Sequence, residues 1–127
     1  METILVVDDE PMILELMTTI LRTAGFAVLT ASTGASALSI AQFHRDEIRL
    51  LITDVAMPGM DGPTLVRLLT AETPDLPVLY MSGTYDGSQF ERVERSGFLA
   101  KPFSANDLLA EVKALIAQPS VVTAGLA

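Results

Sequence analysis

Leu50-Leu51-Ile52-Thr53-Asp54, followed by Val55-Ala56-Met57-Pro58-Gly59-Met60-Asp61-Gly62, is the stretch on which the fold turns. An uncharged, mainly aliphatic run closes on a carboxylate, and the next segment carries proline and glycine, so the pattern reads as a strand ending in a loop. Apolar residues at consecutive positions mark a strand covered on both faces, as in the middle of a parallel sheet. Similar runs lie outward from it: with the central one at 49–54, strands are predicted at about residues 3–8, 26–31, 77–82 and 98–100. Helix-like segments lie between them and after the last. Such alternation needs crossover connections, so the predicted fold is α/β, a three-layer doubly wound sheet of five parallel strands; for the expected order 2-1-3-4-5, the point where strand order reverses lies between strands one and three.

The first helix is expected after Asp9 as N-cap, with Pro11 in its first turn, Ile13, Leu16, Met17 and Ile20 facing inward, and Gly25 at its end. The second follows Thr33 and turns Ala37, Leu38 and Ala41 inward with Ile40 at the edge of the stripe. The third runs from about Pro63 to Thr70 or beyond, burying Leu65, Leu68 and Leu69, and Asp61 belongs to the loop and helix start before it. The last begins after Ser104, buries Leu108, Leu109, Val112, Leu115 and Ile116, and stops at Pro119. Between the fourth and fifth strands, Asp86 to Ser96 offers only Phe90 and Val93 as large apolar residues. Helix four in chain order is therefore predicted to be short or irregular. The expected organisation is one domain over residues 1–118 and a flexible tail or linker start over 119–127.

The chain has 127 residues, 50% of them hydrophobic, enough for one sizeable core. Sixteen acids against eight bases give a formal charge of −8, which repels a nucleic-acid backbone and anionic lipid, so direct nucleic-acid binding is not expected. Without cysteine there is no disulfide and no thiolate metal site. No apolar run approaches the roughly 18 residues of a membrane span, and no signal pattern opens the chain. A cytoplasmic protein without membrane insertion is the expectation. His44, the one histidine, lacks the partners for a metal site or a triad and is read as helix surface.

Chemistry gathers at the strand ends. Asp8 and Asp9 close the run Ile4-Leu5-Val6-Val7, while Ser82 and Lys101 follow two later strands. In an open α/β sheet ligands bind outside the carboxyl ends of the strands, where these five side chains would meet. Clustered carboxylates repel one another and are relieved by a raised pKa or a bound cation. All-oxygen ligation favours a hard ion, Mg²⁺ first and Mn²⁺ as an alternative. Asp54 could then act as a nucleophile toward phosphorus, with the Lys101 ammonium and Ser82 hydroxyl stabilising charge on the phosphoryl oxygens.

The motifs Val6-Val7-Asp8-Asp9-Glu10, Asp54 with Met57-Pro58-Gly59-Met60-Asp61-Gly62, Met81-Ser82-Gly83 and Phe98-Leu99-Ala100-Lys101-Pro102-Phe103 resemble the receiver domains of bacterial two-component response regulators, over about residues 3–117. The resemblance implies a flavodoxin-like fold and phosphorylation of Asp54 from a phosphohistidine donor. It also implies Asp9, Asp54 and the Ala56 backbone carbonyl as Mg²⁺ ligands, with Asp8 acting through water. Ser82 and Lys101 would contact the phosphoryl group, the Lys101-Pro102 peptide would be cis, and Ser82 with Phe98 would form a switch that alters a protein-interaction surface. The implied partners are a histidine kinase or a histidine phosphotransfer protein, and the expected state is a monomer or weak dimer. Compared with a typical receiver, the stretch between Ser82 and Lys101 is a few residues short.

On the first helix, Leu14 and Leu21 are spaced seven residues apart and Met12 also falls outside the main stripe, so these three are candidate docking residues for a partner helix bundle. Two other functions compete. An aspartate-nucleophile phosphatase of the haloacid dehalogenase type would need a second Asp two residues after the nucleophile, where Ala56 stands. A pseudo-receiver used only for binding is opposed by the intact Asp8, Asp9, Asp54 and Lys101. In the preferred, receiver-like reading the chain is not an enzyme beyond catalysing its own phosphorylation and dephosphorylation.

Overall fold

β1 (Thr3–Val7) and β3 (Ile48–Asp54) lie side by side in the middle of the sheet because neither has a polar face to offer water. Ile4, Leu5, Val6, Val7, Leu50, Leu51 and Ile52 are all fully buried. The structure is a computed structural model that describes residues 1–84 and 90–118. β2 (Ala27–Ala31), β4 (Val78–Ser82) and β5 (Ser96–Ala100) complete a parallel sheet in the order β2-β1-β3-β4-β5. The helices are α1 (Pro11–Thr23), α2 (Gly34–Phe43), α3 (Gly62–Glu72) and α4 (Ala105–Ala117). The predicted fold class and strand order are those observed.

Alternation along each strand divides the core in two. Leu5, Val7, Leu51, Val78 and Tyr80 face Ala37 of α2 and Leu65, Val66 and Leu69 of α3. Ile4, Val6, Leu50, Ile52, Leu79 and Met81 face Met17 and Leu21 of α1 and Leu108, Val112 and Leu115 of α4. Each such side chain contributes about 2 kcal/mol on burial, so both helical layers are held by ordinary apolar packing.

Two helices differ in phase from the sequence reading. On α1 the buried stripe centres on Met17 and Leu21, flanked by Ile13, Leu14 and Ile20, and Leu16 is 48% exposed. The cause lies in the sequence Pro-Met-Ile-Leu-Glu-Leu-Met, which is apolar over most of its circumference and leaves the register to packing against β1 and β2. On α3, Val66 is buried and Leu68, expected inside, is 46% exposed. The cap of α1 also differs: Glu10 is the N-cap and makes no side-chain cap bond, while Asp9, expected to cap, is exposed. Asp8 takes that duty in part, its Oδ1 accepting from the Glu10 N–H at 2.9 Å.

Among the described residues between β4 and β5 there is no helix; residues 85–89, which belong to the segment predicted to be short or irregular, lie outside the description. Phe90 and Val93 pack on the α2–α3 side of the core. Arg95 anchors the segment from below, donating to the Asp75 carbonyl at 2.8 Å and the Gln118 carbonyl at 2.9 Å and pairing with the Asp75 carboxylate at 3.3 Å. Those carbonyls include the end of α4, where a cation is favourable. The expected tail, 119–127, also lies outside the described residues.

Thr33, Asp61 and Ser104 cap α2, α3 and α4 through their side chains. Asp61 accepts from the Thr64 N–H at 2.9 Å, and hydrogen bonding to the Thr64 side chain, with that N–H bond adding to it, holds its carboxyl below the ordinary 3.8. Removing the cap by Asp61→Ala is expected to cost about 1 kcal/mol in urea unfolding at pH 7. Because the folded pKa is depressed, this stability is fully present above 3.8 and is lost as pH falls through the folded value. The difference between wild type and Asp61→Asn is therefore expected to move against wild type on acidification, and a difference independent of pH would remove the ionised cap from the account.

Candidate functional site

Parallel register carries the strand ends to one edge: Val7 pairs with Thr53, Asp54 with Met81, and Ser82 with Ala100. The ladder runs one step further in the loops, since Asp8 N–H donates to Ala31, Val55 N–H to Met81 and Lys101 N–H to Ser82, at 3.2, 2.9 and 2.9 Å. The positions of Asp8, Asp54, Ser82 and Lys101 are thus set by sheet hydrogen bonds rather than by mobile loops. Asp8 is fully buried, Asp54 and Ser82 nearly so, and Asp9 is exposed at the rim.

Carboxylate oxygens of Asp8, Asp9 and Asp54 all lie within 4.8 Å of one another. Lys101 Nζ stands among them, 2.7 Å from Asp8 Oδ2, 3.3 Å from Asp54 Oδ2 and 3.9 Å from Glu10 Oε1. Burial pushes the Asp54 carboxyl up, Lys101 opposes that rise, and the Asp8 charge adds to it; the net shift is upward. For Lys101, burial pulls down, but the hydrogen bond to Asp8 and the charges of Asp54 and Asp8 outweigh it and hold the ammonium charged. One ammonium among three acids leaves an excess of negative charge around an all-oxygen donor set, which fits a hard divalent cation. The pocket can bind a metal ion.

Ser82 Oγ accepts from the Thr84 N–H at 3.0 Å, which orients the hydroxyl at the end of β4. Ala56 is exposed on the loop after β3. The Lys101–Pro102 peptide is cis. Phe98, on β5, is half-buried and lies opposite Tyr80 in the register. His44 caps the C-terminus of α2 just ahead of the start of β3, whereas Asp54 stands at the end of that strand, and the His44 Nδ1 is 3.4 Å from Glu47.

The docking candidates do not form one surface. Met12 is 82% exposed, Leu14 is half-buried in the α1–α4 core, and Leu21 is fully buried. Leu21 lines the core because the α1 stripe is rotated toward it, and Leu16 takes its place on the exposed face beside Met12. Sequence reasoning also passed over Gly62. A Cβ there would overlap the Asp54 carbonyl oxygen and come within 3.0 Å of the Val55 Cα. The available signal was a glycine directly after a capping Asp, at a helix start that does not itself require one.

A family model described as response regulator receiver domain matches residues 4–113. The chain is similar to Sensor kinase CckA of Brucella abortus (strain 2308), 36% identical over 118 residues that make up 90% of this chain and 12% of that protein. It is 32% identical over 126 residues to the probable transcriptional regulatory protein TcrX of Mycobacterium tuberculosis (strain ATCC 25618 / H37Rv), covering 95% of this chain and 52% of that one. The chain thus spans about half, or much less, of the length of these curated relatives. Among solved structures, a response regulator receiver domain protein from Clostridium thermocellum superposes with a TM-score of 0.84 at 31% identity, over 91% of this chain and 94% of that one.

Proposed function

The chain belongs to the response regulator receiver domain family of two-component signalling, and from that premise we propose that Asp54 takes a phosphoryl group from a phosphohistidine donor in a Mg²⁺-dependent reaction that the chain itself promotes. The observation that carries this reading is the placement of Lys101 Nζ between Asp8 and Asp54 at 2.7 and 3.3 Å, beside a third carboxylate. An Asp54 carboxylate oxygen attacks phosphorus, the P–N bond to the donor imidazole breaks, and the imidazole leaves with the bonding pair. Lys101 donates to a phosphoryl oxygen and Ser82 to another, offsetting charge that spreads over them in transfer. Asp9, Asp54 and the Ala56 carbonyl would hold Mg²⁺, with Asp8 acting through water; the ion supplies positive charge against the phosphoryl oxygens. Ser82 and Phe98 form the switch that carries the phosphorylated state outward.

The test is intact mass after incubation with Mg²⁺ and acetyl phosphate. The expected result is one metal-dependent phosphoryl adduct on the wild type and none on Asp54→Asn. An adduct of equal yield on Asp54→Asn would place the acceptor elsewhere, and steady hydrolysis of phosphate esters would favour the phosphatase reading.

We also propose that a histidine kinase or histidine phosphotransfer protein docks on the exposed α1 face carrying Met12 and Leu16, next to the acidic edge. Charge substitution there, Met12→Glu with Leu16→Glu, is expected to slow transfer from the cognate donor by about tenfold or more while sparing uptake from acetyl phosphate. Equal loss in both assays would contradict docking on this face.

A further inference from the structure

Over β4 and β5, on the side covered elsewhere by α2 and α3, the described residues supply rings in place of a helix. Tyr80 of β4 is 1% exposed, and the Phe90 ring meets it edge-on at a centroid distance of 4.8 Å. Phe90 also lies 6.3 Å from the Phe98 ring, tilted by 44°. Tyr80 and Phe98 are register partners on adjacent strands, so the three rings form one cluster with Phe90 as its outer member. Tyr80 and Ser82 stand two residues apart on β4 and share a face. The Val93 N–H points at the Tyr80 hydroxyl at 3.5 Å, and Ser96 Oγ donates to the Val93 carbonyl at 2.6 Å, tying the same short segment to the strands.

Phe90 has a second neighbour. It borders a depression of about 560 Å³ shared with Val55, Ala56 and Met57, the loop that follows Asp54. A ring displaced from the cluster therefore has adjacent space to enter, and that space abuts the acceptor loop.

We propose that Phe90 is the residue through which the state of Asp54 reaches the surface: it is packed on Phe98, and a turn of Phe98 toward Ser82 removes the contact that holds it. The inference rests on the reading of Asp54 as phosphoacceptor with Ser82 and Phe98 as switch. Phosphorylation then moves Phe90 off Tyr80 and alters the face formed by residues 90–95. Phe90 positions that segment and touches no reacting atom.

The chain contains no tryptophan, so Phe90→Trp places a single emitter at the site. With Mg²⁺ and acetyl phosphate the expected result is a shifted emission maximum and altered acrylamide quenching, in step with adduct formation by intact mass. Adding Asp54→Asn is expected to abolish both. Adding Phe98→Leu, compared at equal adduct yield, is expected to abolish the optical change alone. An adduct with unchanged emission overturns the inference and leaves the phosphoacceptor reading standing; an optical change that survives Phe98→Leu overturns the route through Phe98. Absence of any adduct overturns the phosphoacceptor reading and this inference with it. If Phe90→Trp does not fold, wild type labelled with fluorophenylalanine carries the same test through its Phe90 resonance, assigned by Phe90→Leu among five phenylalanines.

Discussion

Lys101→Met is expected to lower the free energy of unfolding by about 3 kcal/mol in metal-free buffer at pH 7, because it leaves a buried carboxylate without its paired ammonium. Asp8 is 0% exposed, and its partners among the described residues are the Glu10 N–H and the Lys101 ammonium at 2.7 Å. Lys101 is itself only 14% exposed, so solvent does little to screen the pair. Methionine keeps the length of the side chain and removes the charge, which separates electrostatics from lost packing. The double variant Asp8→Asn with Lys101→Met removes both charges and is expected to recover most of the loss, giving a large coupling energy in the cycle. Glu10→Gln supplies the contrast: its carboxylate is 3.9 Å from Lys101 and 63% exposed, so little change is expected. A loss below about 1 kcal/mol in Lys101→Met would mean that water or rearrangement already compensates Asp8, and the account of the pair would fail.

What the sequence disclosed follows from how each feature is encoded. Strand ends were legible because a mainly apolar run stops where polar side chains begin, and Asp8, Asp54 and Ser82 each mark such a stop. Their meeting was legible because parallel topology fixes which strand ends are neighbours. The faces of α1 and α3 were not. Met12, Ile13, Leu14, Leu16, Met17, Ile20 and Leu21 cover most of a helical circumference, so the choice between Leu16 and Leu21 for the core rests on contacts with distant strands. The α1 cap was misassigned because the acids at residues 8–10 are interchangeable in pattern, and only the path of the backbone puts Glu10 at the cap and Asp8 against its N–H. The ring cluster of Tyr80, Phe90 and Phe98 was hidden for the same reason: its members belong to three different segments.

Gly62→Ala is expected to cost about 3 kcal/mol or more and to cut phosphoryl uptake at Asp54, although glycine here has no backbone conformation that alanine avoids. Positive φ among the glycines is found at Gly25 and Gly59, so the demand on Gly62 is one of space. Its N–H donates to the Val55 carbonyl at 2.9 Å, which draws the first turn of α3 onto the end of β3. A methyl group there would overlap the Asp54 carbonyl, and β3 cannot yield because β1 and β4 hold it on both sides. The helix must back away, withdrawing Leu65, Val66 and Leu69 from the core and pulling the loop that carries Ala56. Gly59→Ala is the matched control: its φ of +79° strains alanine, but no atom lies within 4 Å of the added carbon, so about 1 kcal/mol is expected. Urea midpoints and initial rates of adduct formation decide between the two costs. If Gly62→Ala proved no worse than Gly59→Ala in both, the close approach of α3 to Asp54 would not be what sets the acceptor loop.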